Sequence, residues 1–267
     1  MTLAQVIRRN GVLFVATTQG IAALPPLAVL LLDGGTTVSV VLAAALVVAL
    51  GWDYLFAALR HRTIIPTGLT TAVIFTLFAP ADMPLWHLVV VVSLGCVIGE
   101  LVFGGRGFAF LSPATVALAL LLLSLPDATL RAPSAAMALA CLPGAALLLG
   151  TGLLSLRVAA GFALALGVAV GVTDAAGAVP VLIACSAALV FLVCDPTTGA
   201  VTPLGRIAHG VLAGGLVWVF SLGAPGTPGA PGPDALVFAA LLGSLFAPLL
   251  DHIAITIAAR RRRPRHG

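Results

Sequence analysis

Residues 194–206 read C-D-P-T-T-G-A-V-T-P-L-G-R, and this stretch decides how the chain must fold. It separates two apolar runs, 179–193 and 207–222, and holds what such runs avoid. Pro196 and Pro203 cannot donate backbone hydrogen bonds, and Gly199 and Gly205 tolerate positive φ. A helix cannot pass through undisturbed. Broken backbone at membrane depth persists only where protein buries it or it lines a polar cavity. A bound group is therefore sought here first.

The surroundings make the membrane reading firm. Of 267 residues, 61% are hydrophobic and 8% charged, with a mean hydropathy of +1.19. A soluble domain carries about a quarter charged residues. No polar stretch is long enough for a soluble domain, so the whole chain, 1–267, reads as one transmembrane domain. The net charge of +4 comes largely from the arginine-rich tail, Arg260 to Arg263 and Arg265. That tail reads as a topology anchor beside anionic headgroups and calls for no nucleic acid. The polar first ten residues and the following run show no cleavable signal pattern.

Runs of about 17–25 apolar residues predict ten spans: 11–32, 37–59, 64–79, 85–103, 108–125, 135–156, 158–173, 178–194, 207–223 and 235–258. With both termini cytoplasmic, every arginine except Arg131 falls on the inner side, a strong positive-inside signal. Ten spans divide into approximate repeats 11–125 and 135–258; five spans each would invert the second copy. P-T-G-L-T-T at 66–71 is echoed by P-T-T-G-A-V-T at 196–202.

Acidic residues sort in the same way. Asp53, Glu100, Asp195 and Asp251 lie within spans or at their inner ends, where a carboxylate is expensive and marks a functional candidate. One polar vestibule could gather all four; pairing with Arg60, Arg62, Arg106 or Arg206 is the structural alternative. Asp251, beside His252 and near Pro248, is a candidate cation or proton site, as is Glu100. Cys96, Cys141, Cys185 and Cys194 read as small buried hydrophobes, and an iron–sulfur cluster shared with partner chains as the sharper alternative. The five histidines form no haem pair.

Four blocks together carry a resemblance. T-G-L-T-T-A-V-I-F-T-L-F-A-P-A-D-M-P-L-W (67–86) leads into V-F-G-G-R-G-F-A-F-L-S-P-A (102–114). The 194–206 block then precedes S-L-F-A-P-L-L-D-H (244–252). Order and spacing resemble the family containing the D subunit of Rnf-type electron-transport complexes and the B subunit of sodium-translocating NADH:quinone oxidoreductases. The resemblance implies an all-α polytopic fold of about ten transmembrane helices in two inverted five-helix repeats, with broken helices, similar to urea transporters. It implies a non-autonomous subunit that passes electrons through flavin in a multi-subunit complex of the bacterial inner membrane, with sodium or proton movement coupled in some members. Other membrane subunits are then the partners.

The sequence departs from that family where a threonine in an S-G-A-T pattern carries phosphoester-linked FMN. The nearest match is Ser134-Ala135-Ala136-Met137, with methionine at the acceptor position. At 195–201, D-P-T-T-G-A-V has Val201 at that position, and Thr202 comes one residue late. A basic residue before F-G-G is here Glu100, and two asparagines are Ser112 and Ser244. The expectation is therefore flavin, as FMN or riboflavin, held non-covalently. Thr67, Gly68, Thr70, Gly104, Gly105, Asp195, Thr198, Gly199 and Thr202 are its candidate contacts. Two alternatives stay open: a channel or transporter for a small polar solute, and a membrane anchor without cofactor. No nicotinamide-binding domain is visible, so the chain cannot oxidise NADH by itself.

Overall fold

The computed structural model describes residues 3–61, 63–125, 128–173, 178–222 and 231–262, with side chains left aside for 3–10, 172–173, 178 and 261–262. Among the described residues the regular structure is helical throughout. In order it comprises α1 (Leu3–Leu59), α2 (Gly68–Phe78), α3 (Leu85–Cys96), α4 (Pro113–Ser124), α5 (Ala135–Gly150), α6 (Leu156–Thr173), α7 (Ala178–Ala188), α8 (Pro203–Ser221) and α9 (Pro233–Arg262). Two π-helical turns, Val97–Leu101 and Leu189–Val193, extend α3 and α7.

α1 is two helices in one. Gly35 leaves helical geometry with φ 57° and ψ −140°, a conformation that only glycine adopts without strain. Gly20 packs on Leu69 and Thr70, while Ala49 packs on Gly68. A straight helix would hold residues 20 and 49 about 43 Å apart. The halves therefore fold back on each other and converge on the start of α2, as the runs 11–32 and 37–59 predict.

Lengths fix what can cross a bilayer. The stretches Gly11–Leu59, Pro203–Ser221 and Pro233–Arg260 are long and apolar enough to do so. The helices elsewhere are shorter, and two depart from the expected runs. The run 64–79 is helical only from Gly68, and 108–125 only from Pro113. α2 is about 16 Å long, roughly half a hydrocarbon core of about 30 Å. Pro66 and Pro113 account for both late starts: the residue before proline is pushed out of the α region, and proline itself fits the first helical turn. The same rule corrects 207–223, since α8 begins four residues earlier, with Thr202 as N-cap and Pro203 at the first position.

Small residues bring the helices together. α6 and α8 share the most extensive contact, along Gly161, Gly210 and Gly214. A Cβ on Gly210 or Gly214 would collide with the backbone at Val158 or Phe162. Gly210 and Gly214 form the small-x-x-x-small spacing that permits such approach within a membrane. Large side chains such as Leu32, Val47, Trp86, Leu123, Leu139 and Leu182 face outward, as surfaces toward lipid do. The core holds Phe75, Phe78, Phe162 and Phe191.

Candidate functional site: a buried polar junction

Three of the four candidate carboxylates meet at one buried junction where helices break. Asp53, late in α1, accepts the Gly68 N–H at 2.7 Å through Oδ2. The Thr67 hydroxyl lies 2.7 Å from Glu100 Oε1 and 3.4 Å from Asp53 Oδ1, bridging the two carboxylates. Glu100 sits in the π turn after α3. Its Oε1 also accepts the Arg106 N–H at 2.9 Å, and its Oε2 stands 3.5 Å from Arg106 Nε. This is the ion pair found among the described residues. Arg106 Nη1 donates to Thr70 Oγ1 at 2.7 Å and to Gln19 Oε1 at 3.3 Å. The Gln19 amide then reaches Asp195 Oδ1 at 3.5 Å.

All these groups are buried. Chain geometry explains how polar residues come to stand there. The non-helical stretch before Gly68 leaves the first N–H groups of α2 without helical acceptors, and Asp53 supplies one. Gly104 and Gly105, at φ 111° and 103°, turn the chain after α3 so that Arg106 doubles back on Glu100. Both π turns end at the junction: one holds Glu100, the other directly precedes Cys194 and Asp195. Such turns occur frequently at functional sites. His209, on α8, steadies the second through Nε2, 3.3 Å from the Val193 carbonyl.

Asp251 bonds a different set of groups from the three carboxylates of the junction. Its Oδ2 accepts the Val201 N–H at 2.8 Å; its Oδ1 accepts the Thr202 N–H at 2.9 Å and hydroxyl at 2.6 Å. Thr202 Oγ1 in turn accepts the Gly205 N–H at 3.0 Å, capping α8. Asp251 thus clamps the far end of the 194–206 stretch, while Asp195 orders its near end by accepting the Thr197 N–H and hydroxyl. Arg206 Nε donates to the Ala200 carbonyl at 3.3 Å. The two sequence echoes use one device: an aspartate on a long helix holds the opening turn of a broken one.

Among the expected flavin contacts, Thr67, Gly68, Thr70, Asp195 and Thr202 thus hold protein groups, and Gly68 packs tightly on the Ala49 backbone. Gly199 donates its N–H to the Asp195 carbonyl, and Thr198 is buried beside it. In this arrangement the Thr67, Gly68, Gly199 and Thr202 donors are taken by protein acceptors, so a ring would use them only by displacing those bonds. A phosphoester does not fit at 137. Met137 is a buried thioether, and the nearby Ser134 hydroxyl caps α5 by accepting the Met137 N–H at 3.2 Å.

Gln19 and Arg106 complete the junction, and neither was among the candidate ligands. Gln19 carries a signal that could have been used: an amide among apolar neighbours in the first run, where lipid exposure would leave its donors unsatisfied. The described cysteines are all free and buried, and no three metal-ligating side chains gather among the described residues.

Comparison with known proteins agrees with the blocks at these positions. A model described as the NQR2, RnfD, RnfE family matches residues 7–136 and 131–259. The B subunit of the Na(+)-translocating NADH-quinone reductase of Pseudomonas aeruginosa strain LESB58 is 27% identical over 272 residues, covering 81% of this chain and 66% of the relative. The protein of the same name from Azotobacter vinelandii is 43% identical over 75 residues, 28% of this chain and 19% of its own length. That from Stutzerimonas stutzeri is 40% identical over a stretch of the same length. The chain thus spans 66% of the length of the Pseudomonas relative. With a family match running through nearly the whole sequence and helices apolar enough to cross a bilayer, this chain belongs to the NQR2, RnfD, RnfE family.

Proposed function

We propose that the chain is an integral membrane subunit of a multi-subunit electron-transfer complex in a bacterial inner membrane, coupled to sodium or proton movement. The observation that carries this reading is the buried junction: three carboxylates and one arginine, joined through Thr67, Thr70 and Gln19 where three helices break. Burying charge at membrane depth is costly and is retained where ions or protons are handled. The relatives' names, which specify Na(+) translocation and NADH-quinone reduction, support the class. Glu100 and Asp251 remain the proposed positions for a cation or proton. Both termini are cytoplasmic and ten helices form two inverted repeats of five, similar to urea transporters. The family matches, 7–136 and 131–259, support a division at that point.

The test is to isolate the tagged chain with its native partners and record the spectrum between roughly 350 and 500 nm, where oxidised flavins absorb. A band bleached by the complex's electron donor, at a rate that depends on sodium or pH, is expected. A complex without any redox-active component would overturn the reading. One observation favours a second reading, a channel or transporter for a small polar solute: the Thr67, Thr70 and Thr202 hydroxyls and the Gly68, Val201 and Thr202 N–H groups at the two breaks bond protein acceptors, so these donors need no ring. Solute flux through vesicles containing the colourless chain alone would establish it.

A further inference from the structure

The donors of the junction can be assigned to its carboxylates, and one carboxylate goes short. Asp195 Oδ1 accepts the Thr197 N–H at 2.9 Å and hydroxyl at 2.7 Å, with the Gln19 amide at 3.5 Å. Glu100 accepts the Arg106 N–H at 2.9 Å and the Thr67 hydroxyl at 2.7 Å, and its second oxygen faces Arg106 Nε at 3.5 Å. Asp53 is different. It accepts one short bond, from the Gly68 N–H at 2.7 Å through Oδ2. Among the described residues its Oδ1 meets only Thr67 Oγ1, at 3.4 Å, beyond the usual range of an O–H···O bond. A threonine hydroxyl owns one hydrogen, and the nearer Glu100 oxygen takes it. Asp53 Oδ1 therefore faces the lone pairs of Thr67 Oγ1 without a donor, on a side chain that is 8% exposed.

We propose that Asp53 carries a proton on Oδ1 and shares it with Glu100 through the Thr67 hydroxyl, so that the pair is a proton-holding site. A buried carboxylate short of donors is costly, and a proton removes that charge. The hydrogens then run in one direction: Asp53 donates to Thr67 Oγ1, and Thr67 donates to Glu100 Oε1. Transfer needs no further reactant. The Asp53 O–H bond breaks as its proton passes to Thr67 Oγ1, while the hydrogen of Thr67 passes to Glu100 Oε1. Asp53 is left ionised, Glu100 neutral and Thr67 unchanged. Arg106, paired with Glu100, favours the resting arrangement with the proton on Asp53. Besides Glu100 and Arg106, Cys96 on α3 is the titratable side chain within electrostatic reach of Asp53 among the described residues. Glu100 is also a departure from the family blocks, so the pair belongs to this sequence. The proposal deepens the reading above by naming a proton as the ion at this junction, and it rests on that reading for movement across the membrane.

Infrared spectroscopy of the purified full chain tests the proton directly. A protonated carboxyl shows a carbonyl stretch above the amide band that moves in D₂O, and dodecyl maltoside, which has no carbonyl, keeps that region clear. At neutral pH the native chain should show this band, Asp53→Asn should lose it, and Asp195→Asn should keep it. Thr67→Val should move it to higher frequency, because the acid then donates to nothing; Thr67→Ser should leave it in place. Glu100→Gln relieves the charge and frees the Thr67 hydrogen for Asp53, so the band should vanish although Asp53 is intact. Asp53→Glu keeps a carboxyl and guards against misfolding of the asparagine variant: the band should shift rather than disappear. A native chain without the band, a band that survives in Asp53→Asn, or one unchanged in Glu100→Gln would overturn the proposal. These spectra use the chain alone, so their failure leaves the electron-transfer reading standing, and a complex without redox activity leaves the band standing.

Discussion

At the scale of single residues, the Thr67 hydroxyl has an unusual position: it is shared by two buried carboxylates. Thr67→Val keeps the shape and leaves Asp53 and Glu100 facing each other without that donor. Hydrogen bonds to charged groups contribute about 1.5–3 kcal/mol, so this change should lower stability by about that amount in detergent melts. Thr76→Val is the control, since that hydroxyl only returns to the Ala72 carbonyl at 2.8 Å. Equal losses from the two would show that the junction adds nothing special. Asp251 invites a second test. Its two oxygens accept three hydrogen bonds, whereas an asparagine offers a single oxygen and turns an N–H₂ toward a donor. Asp251→Asn should therefore cost about 1–3 kcal/mol in the same melts. If Asp251 also serves cation uptake, turnover per folded complex should lose its sodium or pH dependence; unchanged ion dependence would leave it only the clamp.

At the scale of elements, the α6–α8 seam shows how close approach rather than apolarity holds the second half together. Gly210 faces the Val158 carbonyl with no room for a Cβ, while Gly215 has nothing within 4 Å of where its Cβ would stand. Gly210→Leu should cost about 1–3 kcal/mol or more through overpacking and sharply reduce the yield of monodisperse protein in size-exclusion chromatography. Gly215→Leu, five residues along the same helix, should purify like the native chain. Similar behaviour of the two variants would contradict the seam. The π turns belong to this scale too. Each shifts the register of its helix end, so that Glu100 and Asp195 enter the junction rather than face lipid.

At the scale of the whole molecule, orientation and attachment are open to direct measurement. The proposed topology, read from the arginine asymmetry, expects 223–233 to lie outside; Ala230, in that stretch, is not among the described residues. An Ala230→Cys chain, in a background without the native cysteines, should react with an impermeant maleimide in intact cells. Labelling only after permeabilisation would break the proposed topology. Covalent flavin is expected to be absent, so the denatured chain should show no fluorescent band under ultraviolet light. A band lost in Thr202→Ala would mean that the near-miss stretch is modified after all.

Composition and spacing alone determined the helical membrane class, the apolar runs and the breaks between them. Burying such runs is insensitive to detail, and proline and glycine act locally. The family was legible for the same reason: its blocks are local strings around the breaks. What the sequence could not contain was which polar residues meet. Gln19 and Asp195 are 176 positions apart and touch only because α1 folds back at Gly35 and brings its first half against the loop before α8. The same packing gave Asp251 hydrogen-bond partners outside the junction, although all four carboxylates looked equivalent within or at the inner ends of their runs. It also gave the Thr67 and Thr202 hydroxyls and the Gly68 amide protein partners, which their positions in the chain do not show. A hydrogen bond is a matter of ångströms in three dimensions, and one dimension records only that a donor exists.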